Sequence, residues 1–333
     1  MAQSMHLQTF DPPPLDLAGL LPKWVSELGD LQTAIPALAK DAARLAELDS
    51  IIAEVPTLHR SVLGDARTLD GIAPNSVHLV LTSPPYWTLK EYRDGESQMG
   101  HFEDYEYFLE QLDRVWTRCL EVLVPGGRLI CVVGDVCLSR RKNHGRHTVV
   151  PLHASIQEHC RLIGFDNLSP IIWNKIANIA HEVDNGGAGF LGKPYEPNSV
   201  IKNDIEFILM ERKSGGYRSP STEARLLSII KDENHKAWFT QIWTGLTGAS
   251  TRQHPAPFPE TLADRLIRMF SFVGDTVLDP FSGTGTTTVA AINCGRNSIG
   301  YEIDDHYVSM ARRRISEVTG RLLSKARLEV VNK

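Results

Sequence analysis

From Leu58 onward the chain alternates between two hydrophobic rhythms. Short apolar, β-branched runs bounded by turn residues are followed by stretches whose apolar residues recur at helical spacing. Val77-His78-Leu79-Val80-Leu81 reads as a strand and Phe102 to Val122 as an amphipathic helix. Pro125-Gly126-Gly127 reads as a turn, Leu129 to Val133 as a buried strand, and Val149 to Ile163 as a helix ended by Gly164. Ile171-Ile172-Trp173 and Ile205 to Met210 read as strands. From Glu260 there follow a helix to Phe272, a strand Thr276 to Leu278, a helix from Thr286, a strand Ser298 to Tyr301 and a helix from His306. Such alternation predicts an α/β fold with helices on both faces of a sheet.

Three stretches break the rhythm. Residues 1–56 open on the extended Asp11-Pro12-Pro13-Pro14 and continue as a helical Leu28 to Val55, ended by Pro56. Residues 176–204 are loop-rich, with Asp184-Asn185-Gly186-Gly187-Ala188-Gly189, and residues 214–250 are again irregular. There is no internal repeat.

Composition narrows the class. The 333 residues are 42% hydrophobic and 23% charged, as in soluble globular proteins. No apolar run approaches the roughly 20 residues that span a bilayer, and the N-terminus lacks the pattern of a signal peptide. The five cysteines are scattered without a CxxC pair, which fits a reduced cytoplasm and gives no sign of a metal site. A net charge of −5 argues weakly against nucleic acid, but charge is local. Between Ser139 and His147 lie Arg140, Arg141, Lys142 and Arg146 with no acid. Read alone, this is a solvated loop.

The most informative segment is Val277-Leu278-Asp279-Pro280-Phe281-Ser282-Gly283-Thr284-Gly285-Thr286-Thr287. A buried strand ends in an acid, crosses a glycine-rich turn and enters a helix. Gly283 and Gly285 allow close backbone approach to a ligand. The next strand ends in Glu302, an acid placed to accept the ribose hydroxyls of an adenosine ligand. A dinucleotide site would want a third glycine where Thr288 stands, and Asp279 suits a cation better than a diphosphate. A cationic, phosphate-free adenosine compound fits: S-adenosylmethionine.

A second signature, Thr82-Ser83-Pro84-Pro85-Tyr86-Trp87, follows a buried strand. Two prolines stiffen the backbone and remove two donors. The Ser83 hydroxyl and Pro84 carbonyl could accept hydrogen bonds from an exocyclic amine, with Tyr86 stacking on its ring. Trp87 either widens that platform or belongs to the core.

With both motifs in place, the chain resembles the amino-methyltransferases of bacterial restriction–modification and orphan DNA methylation (the N-4/N-6 DNA methylase family). It resembles the circularly permuted, beta group, in which the catalytic motif precedes the cofactor motif. Ser83 to Tyr86 match the family's [DNS]PP[YFW] motif and Phe281 to Gly285 its FxGxG motif. His254-Pro255-Ala256-Pro257-Phe258-Pro259 resembles an HP-rich motif that cradles the methionine part. Gly64-Asp65-Ala66 resembles a GD motif whose acid is expected near the adenine amine. The match runs over most of residues 58–317 and implies a mostly parallel seven-stranded sheet with one antiparallel strand, suited by Ile205 to Met210.

The implied organisation is an N-terminal helical extension (1–57), a catalytic half (58–175), target-recognition segments with the last sheet strand (176–250) and a cofactor half (251–333). The implied cofactor set is Asp65, Ala66, Thr82, His254, Pro255, Ala256, Phe258, Asp279 to Thr287 and Glu302. The implied reaction is direct in-line methyl transfer from S-adenosylmethionine to an exocyclic nitrogen of a flipped base, without a metal. Ser at the first motif position points to cytosine N4, with adenine N6 and an RNA target as alternatives. No cysteine follows a proline, which excludes a cytosine-C5 enzyme. Double-stranded DNA is the implied partner, and the basic stretch then becomes a candidate phosphate contact, with Trp87 beside the base. A cognate restriction endonuclease, and a monomer or homodimer, are compatible with the resemblance.

Overall fold

The computed structural model describes residues 7–87, 98–138, 143–175, 203–248, 258–322 and 324–332. Eleven strands are found among them: β1 Leu58–Leu63, β2 Val77–Thr82, β3 Leu123–Val133, β4 Val136–Leu138, β5 Thr148–Val150, β6 Phe165–Asn174, β7 Ile205–Lys213, β8 Ile242–Trp243, β9 Thr276–Asp279, β10 Asn297–Glu302 and β11 Arg327–Asn332. The α-helices among the described residues are α1 Leu31–Leu38, α2 Ala42–Ile52, α3 Tyr105–Val122, α4 Leu152–Ile163, α5 Thr222–Leu226, α6 Asp232–Trp238, α7 Glu260–Phe270, α8 Thr286–Asn293 and α9 Asp305–Thr319.

Nine strands form one sheet in the order β11-β1-β10-β9-β2-β3-β7-β6-β8. Only β7 runs antiparallel to its neighbours, as expected for Ile205 to Met210. The expected seven strands are present, and β11 and the two-residue β8 extend the sheet at its edges. The inner strands are apolar on both faces because both are covered. On one face α3 and α4 bury Phe108, Leu112, Trp116, Ile156 and Cys160 against Val80, Leu129 and Cys131. On the other, α7 and α8 bury Leu262, Leu266 and Ala290 against Leu79, Leu81 and Ile130.

Several boundaries depart from the sequence reading. The single helix expected over Leu28 to Val55 is two, because Asp41 leaves helical geometry and caps α2, accepting from the Arg44 N–H at 3.1 Å. Pro125-Gly126-Gly127 is not a free turn but a bulge inside β3. The register passes from Val77–Leu123 to Leu79–Arg128, so three extra residues of β3 are looped out, with Gly126 at φ 76°. The helix expected from Val149 starts at Leu152, and the residues before it pair as the β4–β5 ribbon. The N-terminal extension is packed on the domain: Leu48, Ile52 and Val55 share a core with Ala224, Leu227 and Val273.

Among the described residues no helix is long and apolar enough to cross a membrane, and no group of three His, Cys, Asp or Glu side chains is arranged to hold a metal.

One core residue stands out energetically. Glu211 on β7 is fully buried, and neither carboxylate oxygen makes a hydrogen bond. Burial pushes its pKa up to about 7, offset only in part by the nearby Gln157 amide on α4, which does not reach hydrogen-bonding geometry. An acid whose folded pKa lies above the unfolded value near 4.5 favours the folded state in acid. That advantage is lost as pH rises from the unfolded pKa to about 7. Glu211→Gln is therefore expected to stabilise the fold by about 2 kcal/mol at pH 8 and hardly at all at pH 4.5. Denaturant titrations of both proteins at the two pH values check this; an equal effect at each would refute it.

Candidate active site

The sheet order places a topological switch between β2 and β9. From β2 the chain passes through α3 to β3 on one side, and from β9 through α8 to β10 on the other. In open α/β sheets the crevice at such a point, beyond the carboxyl ends of the strands, is where ligands bind. The two sequence signatures begin there: Ser83-Pro84-Pro85-Tyr86 leaves β2 and Pro280 to Gly285 leaves β9.

The cofactor turn is built as its residues require. Gly283 (φ 50°) and Gly285 (φ 79°) are left-handed, and Gly285 caps α8 without a side chain. A Cβ on Gly285 would lie 3.1 Å from the Ala311 Cβ of α9, so glycine also permits that helix contact. The Ser282 N–H donates to the Tyr301 carbonyl at 2.8 Å, docking the turn on β10. Gly300 makes this possible, since a Cβ there would come within 2.9 Å of the Ser282 Cβ. From α9, Arg314 donates to the Thr284 carbonyl at 2.8 Å and braces the outer side. Gly300 and Arg314 were missed in the sequence. A lone glycine inside a strand was a usable signal for the first, and nothing marked the second.

A buried acid, Asp279, and a half-buried one, Glu302, flank the turn. Asp279 accepts from Thr82 Oγ1 at 2.7 Å, Thr287 Oγ1 at 2.6 Å and the Phe281 N–H at 3.1 Å. Burial raises its pKa to about 6 against these three bonds. Glu302 accepts the N–H groups of Gly283, Ile303 and Asp304, each at 2.9 Å. Its pKa is pushed up to about 7, again by burial. Three of its roughly four acceptor positions are thus taken, leaving one on Oε2. No Lys or Arg bonds either carboxylate among the described residues. Two acids at the turn, neither bonded to a cation among the described residues, match a ligand that brings positive charge and hydrogen-bond donors.

The other expected residues divide. Thr82 is fully buried, and its hydroxyl points at Asp279 rather than outward. Asp65 and Ala66 follow the end of β1, beside Glu302, whose carbonyl accepts the Gly64 N–H at 2.9 Å. The Asp65 carboxylate is held by Arg67 through its backbone N–H and guanidinium, and Arg67 Nη1 reaches Gln111 Oε1 at 2.8 Å. Phe281 lies edge-on to Trp116, with ring centres 6.2 Å apart. Phe258 is buried just ahead of α7, while His254, Pro255 and Ala256 lie outside the described residues.

On the catalytic side Ser83 and Pro85 are half-buried, and Pro84 is buried. The Tyr86 ring is buried beside Gly134 at the end of β3, with Cε1 3.5 Å from where a Gly134 Cβ would stand. Trp87 (φ 39°) meets Tyr105 edge-on at 4.9 Å and packs on the α3-side core. The β4–β5 ribbon leaves β3 just past Gly134. Its base is pinned by Asp135, whose Oδ1 lies 2.6 Å from His153 Nδ1, and His153 stacks on Phe207 at 3.7 Å. Arg146 is exposed beyond the ribbon; Arg140, Arg141 and Lys142 lie outside the described residues.

A family model described as DNA methylase, of the N6/N4 type, matches residues 77–313. The chain belongs to the N6/N4 DNA methylase family. It is 36% identical over 309 residues to the Type II methyltransferase M.MjaI of Methanocaldococcus jannaschii, covering 84% of this chain and 98% of the relative. The Type II methyltransferase M.MthZI of Methanothermobacter thermautotrophicus is 34% identical over 289 residues, covering 78% and 77%. Among solved structures, the Thermus thermophilus protein TTHA0409 in complex with S-adenosyl-L-methionine superposes with a TM-score of 0.67 at 49% identity, covering 82% of this methylase and 98% of that chain. The cytosine-N4-specific PvuII DNA methyltransferase shares the fold at a TM-score of 0.55 and 18% identity, covering 84% and 98%.

Proposed function

We propose that this methylase transfers a methyl group from S-adenosylmethionine to N4 of a flipped cytosine in duplex DNA, as a member of the circularly permuted beta group. The cofactor reading is supported by the S-adenosylmethionine complex of the 49% identical structure and by the two acids at the turn, buried Asp279 and half-buried Glu302, neither bonded to a cation among the described residues. When bound, S-adenosylmethionine supplies a sulfonium-activated methyl group. Asp279, Phe281, Gly283, Gly285 and Glu302 hold it, with Asp65 and Ala66 toward the adenine. The Type II designation of the relatives supports a restriction–modification role.

The cytosine reading rests on Ser83, which stands at the first catalytic motif position where adenine enzymes usually carry Asp. The Ser83 hydroxyl and Pro84 carbonyl accept the two amine hydrogens and draw the nitrogen toward tetrahedral geometry, freeing its lone pair; once methylated, the nitrogen gives up one of those protons to solvent. Most of the rate gain then comes from alignment and fixed dipoles. Tyr86 provides the stacking surface that offsets the few kcal/mol of unstacking. Digesting DNA modified by the purified enzyme and identifying its methylated nucleosides by mass spectrometry tests this. N4-methylcytosine is expected, and N6-methyladenine alone would overturn the base assignment.

Duplex binding falls to the segment carrying Arg140, Arg141, Lys142 and Arg146, with Trp87 near the base. Replacing Arg140, Arg141 and Lys142 by Ala is expected to weaken binding for all sequences alike. It should also flatten the salt dependence by about 0.9 in slope per lost phosphate contact. An unchanged slope would return the segment to a solvated loop.

A further inference from the structure

We infer that Thr82 is a positioning residue for methyl transfer: its hydroxyl, donated to Asp279 across the gap between β2 and β9, holds the catalytic segment in register with the cofactor turn. The inference rests on the reaction proposed above. Backbone pairing between β2 and β9 covers only Leu79–Val277 and Val80–Leu278. It ends two residues before the catalytic segment. On its other side β2 stays paired to its last residue, Thr82 opposite Cys131 of β3. The cofactor turn is tied the opposite way, through Gly300–Asp279 pairing and the Ser282–Tyr301 bond to β10. The two reacting halves are thus anchored to different sides of the switch point. The 2.7 Å bond from Thr82 Oγ1 to Asp279 Oδ1 joins them where the ladder has ended.

Both side chains are buried, at 0% and 2% exposure, so water does not compete for this bond. The same carboxylate fastens the turn through the Phe281 N–H and the α8 start through Thr287. A displacement of the turn is therefore passed to the residue preceding Ser83. Thr82 does not reach the reacting atoms; it acts through Ser83 and Asp279. In-line transfer tolerates little misplacement, about 1 Å costing on the order of 10²-fold.

The test separates positioning from simple satisfaction of a buried carboxylate. Thr82→Val removes the donor at constant shape and Thr82→Ser restores it. Each variant is compared with wild type by calorimetry with S-adenosylhomocysteine at pH 8, by thermal melting, and by single-turnover transfer of labelled methyl to unmethylated plasmid DNA at saturating cofactor. Thr82→Val is expected to keep the dissociation constant within about threefold but to slow the single turnover at least about tenfold. Thr82→Ser should recover the rate to within about threefold. The acid limb of the Thr82→Val rate profile should also move to higher pH, because Asp279 loses a donor that holds its pKa down. Should the valine variant not fold, Thr82→Cys, of similar size with a weak donor, should show the same split. A wild-type rate at saturating cofactor, or a loss confined to cofactor affinity, overturns the inference. The label reports transfer to either base, so an adenine product would defeat the cytosine reading while leaving the Thr82 result standing.

Discussion

Replacing Ser83 with Ala is expected to slow methyl transfer by a factor of about 10²–10³ while leaving S-adenosylhomocysteine affinity within about twofold. The residue follows a strand paired with β3 to its last residue, and two prolines after it leave the backbone little freedom to compensate. Its hydroxyl is assigned to the amine, whereas the cofactor contacts belong to the β9 turn and Glu302. The loss should therefore appear at saturating cofactor and DNA, in the single-turnover rate. Should Ser83→Ala instead weaken cofactor binding in proportion to its rate, the division of labour between the two motifs would be wrong.

A second large effect is expected from pH. Burial holds Asp279 near pKa 6 and Glu302 near 7, both above the ordinary carboxylate range. S-adenosylhomocysteine brings ammonium and ribose hydroxyl donors, which favour both acids as carboxylates, so each must release its proton before binding at full strength. Affinity for S-adenosylhomocysteine is therefore expected to be flat above pH 8 and to fall by about 20-fold between pH 8 and pH 6, with most of the loss from Glu302. Calorimetry in buffers of different ionisation enthalpy should show proton release near pH 6.5. Glu302→Gln should bind more weakly at pH 8 yet lose the upper step. A constant affinity across the range would mean that neither acid titrates with the ligand.

The parts of the fold visible in the sequence are those whose local signals and tertiary fate agree. Strands β2, β9 and β10 are buried on both faces and end in acids or turn residues, so their limits fall within about a residue of the pattern. The C-terminal strand β11 escaped notice because it is an edge: Leu328 and Val331 are half-buried and Val330 is exposed, with no continuous apolar run to mark it. The bulge in β3 escaped because Pro-Gly-Gly carries the local chemistry of a turn, which strand pairing on both flanks overrides. At the site, the residue types and their order were legible. Their partners were not, because pairing Thr82 with Asp279, or Asp65 with Arg67 instead of a ligand, is decided by how the side chains pack. Arg314 carries no sequence signal at all, being one of three consecutive arginines on a largely polar helix.

The position of β2 in the sheet has a consequence for synthesis of the chain. Its catalytic end is completed by a residue 197 positions further on. At roughly 5–20 residues per second, a ribosome exposes the apolar edge of β2 for about 10–40 s before β9 emerges to cover it. The segments of α3, β3 and β7 emerge during that interval, while Leu79 and Leu81 still lack α7 and α8, which cover them in the finished fold. Such an edge invites pairing with other chains. The enzyme's yield in a cell should therefore depend on how fast the chain is translated and on chaperones that shield that edge, more than on the stability of the finished protein.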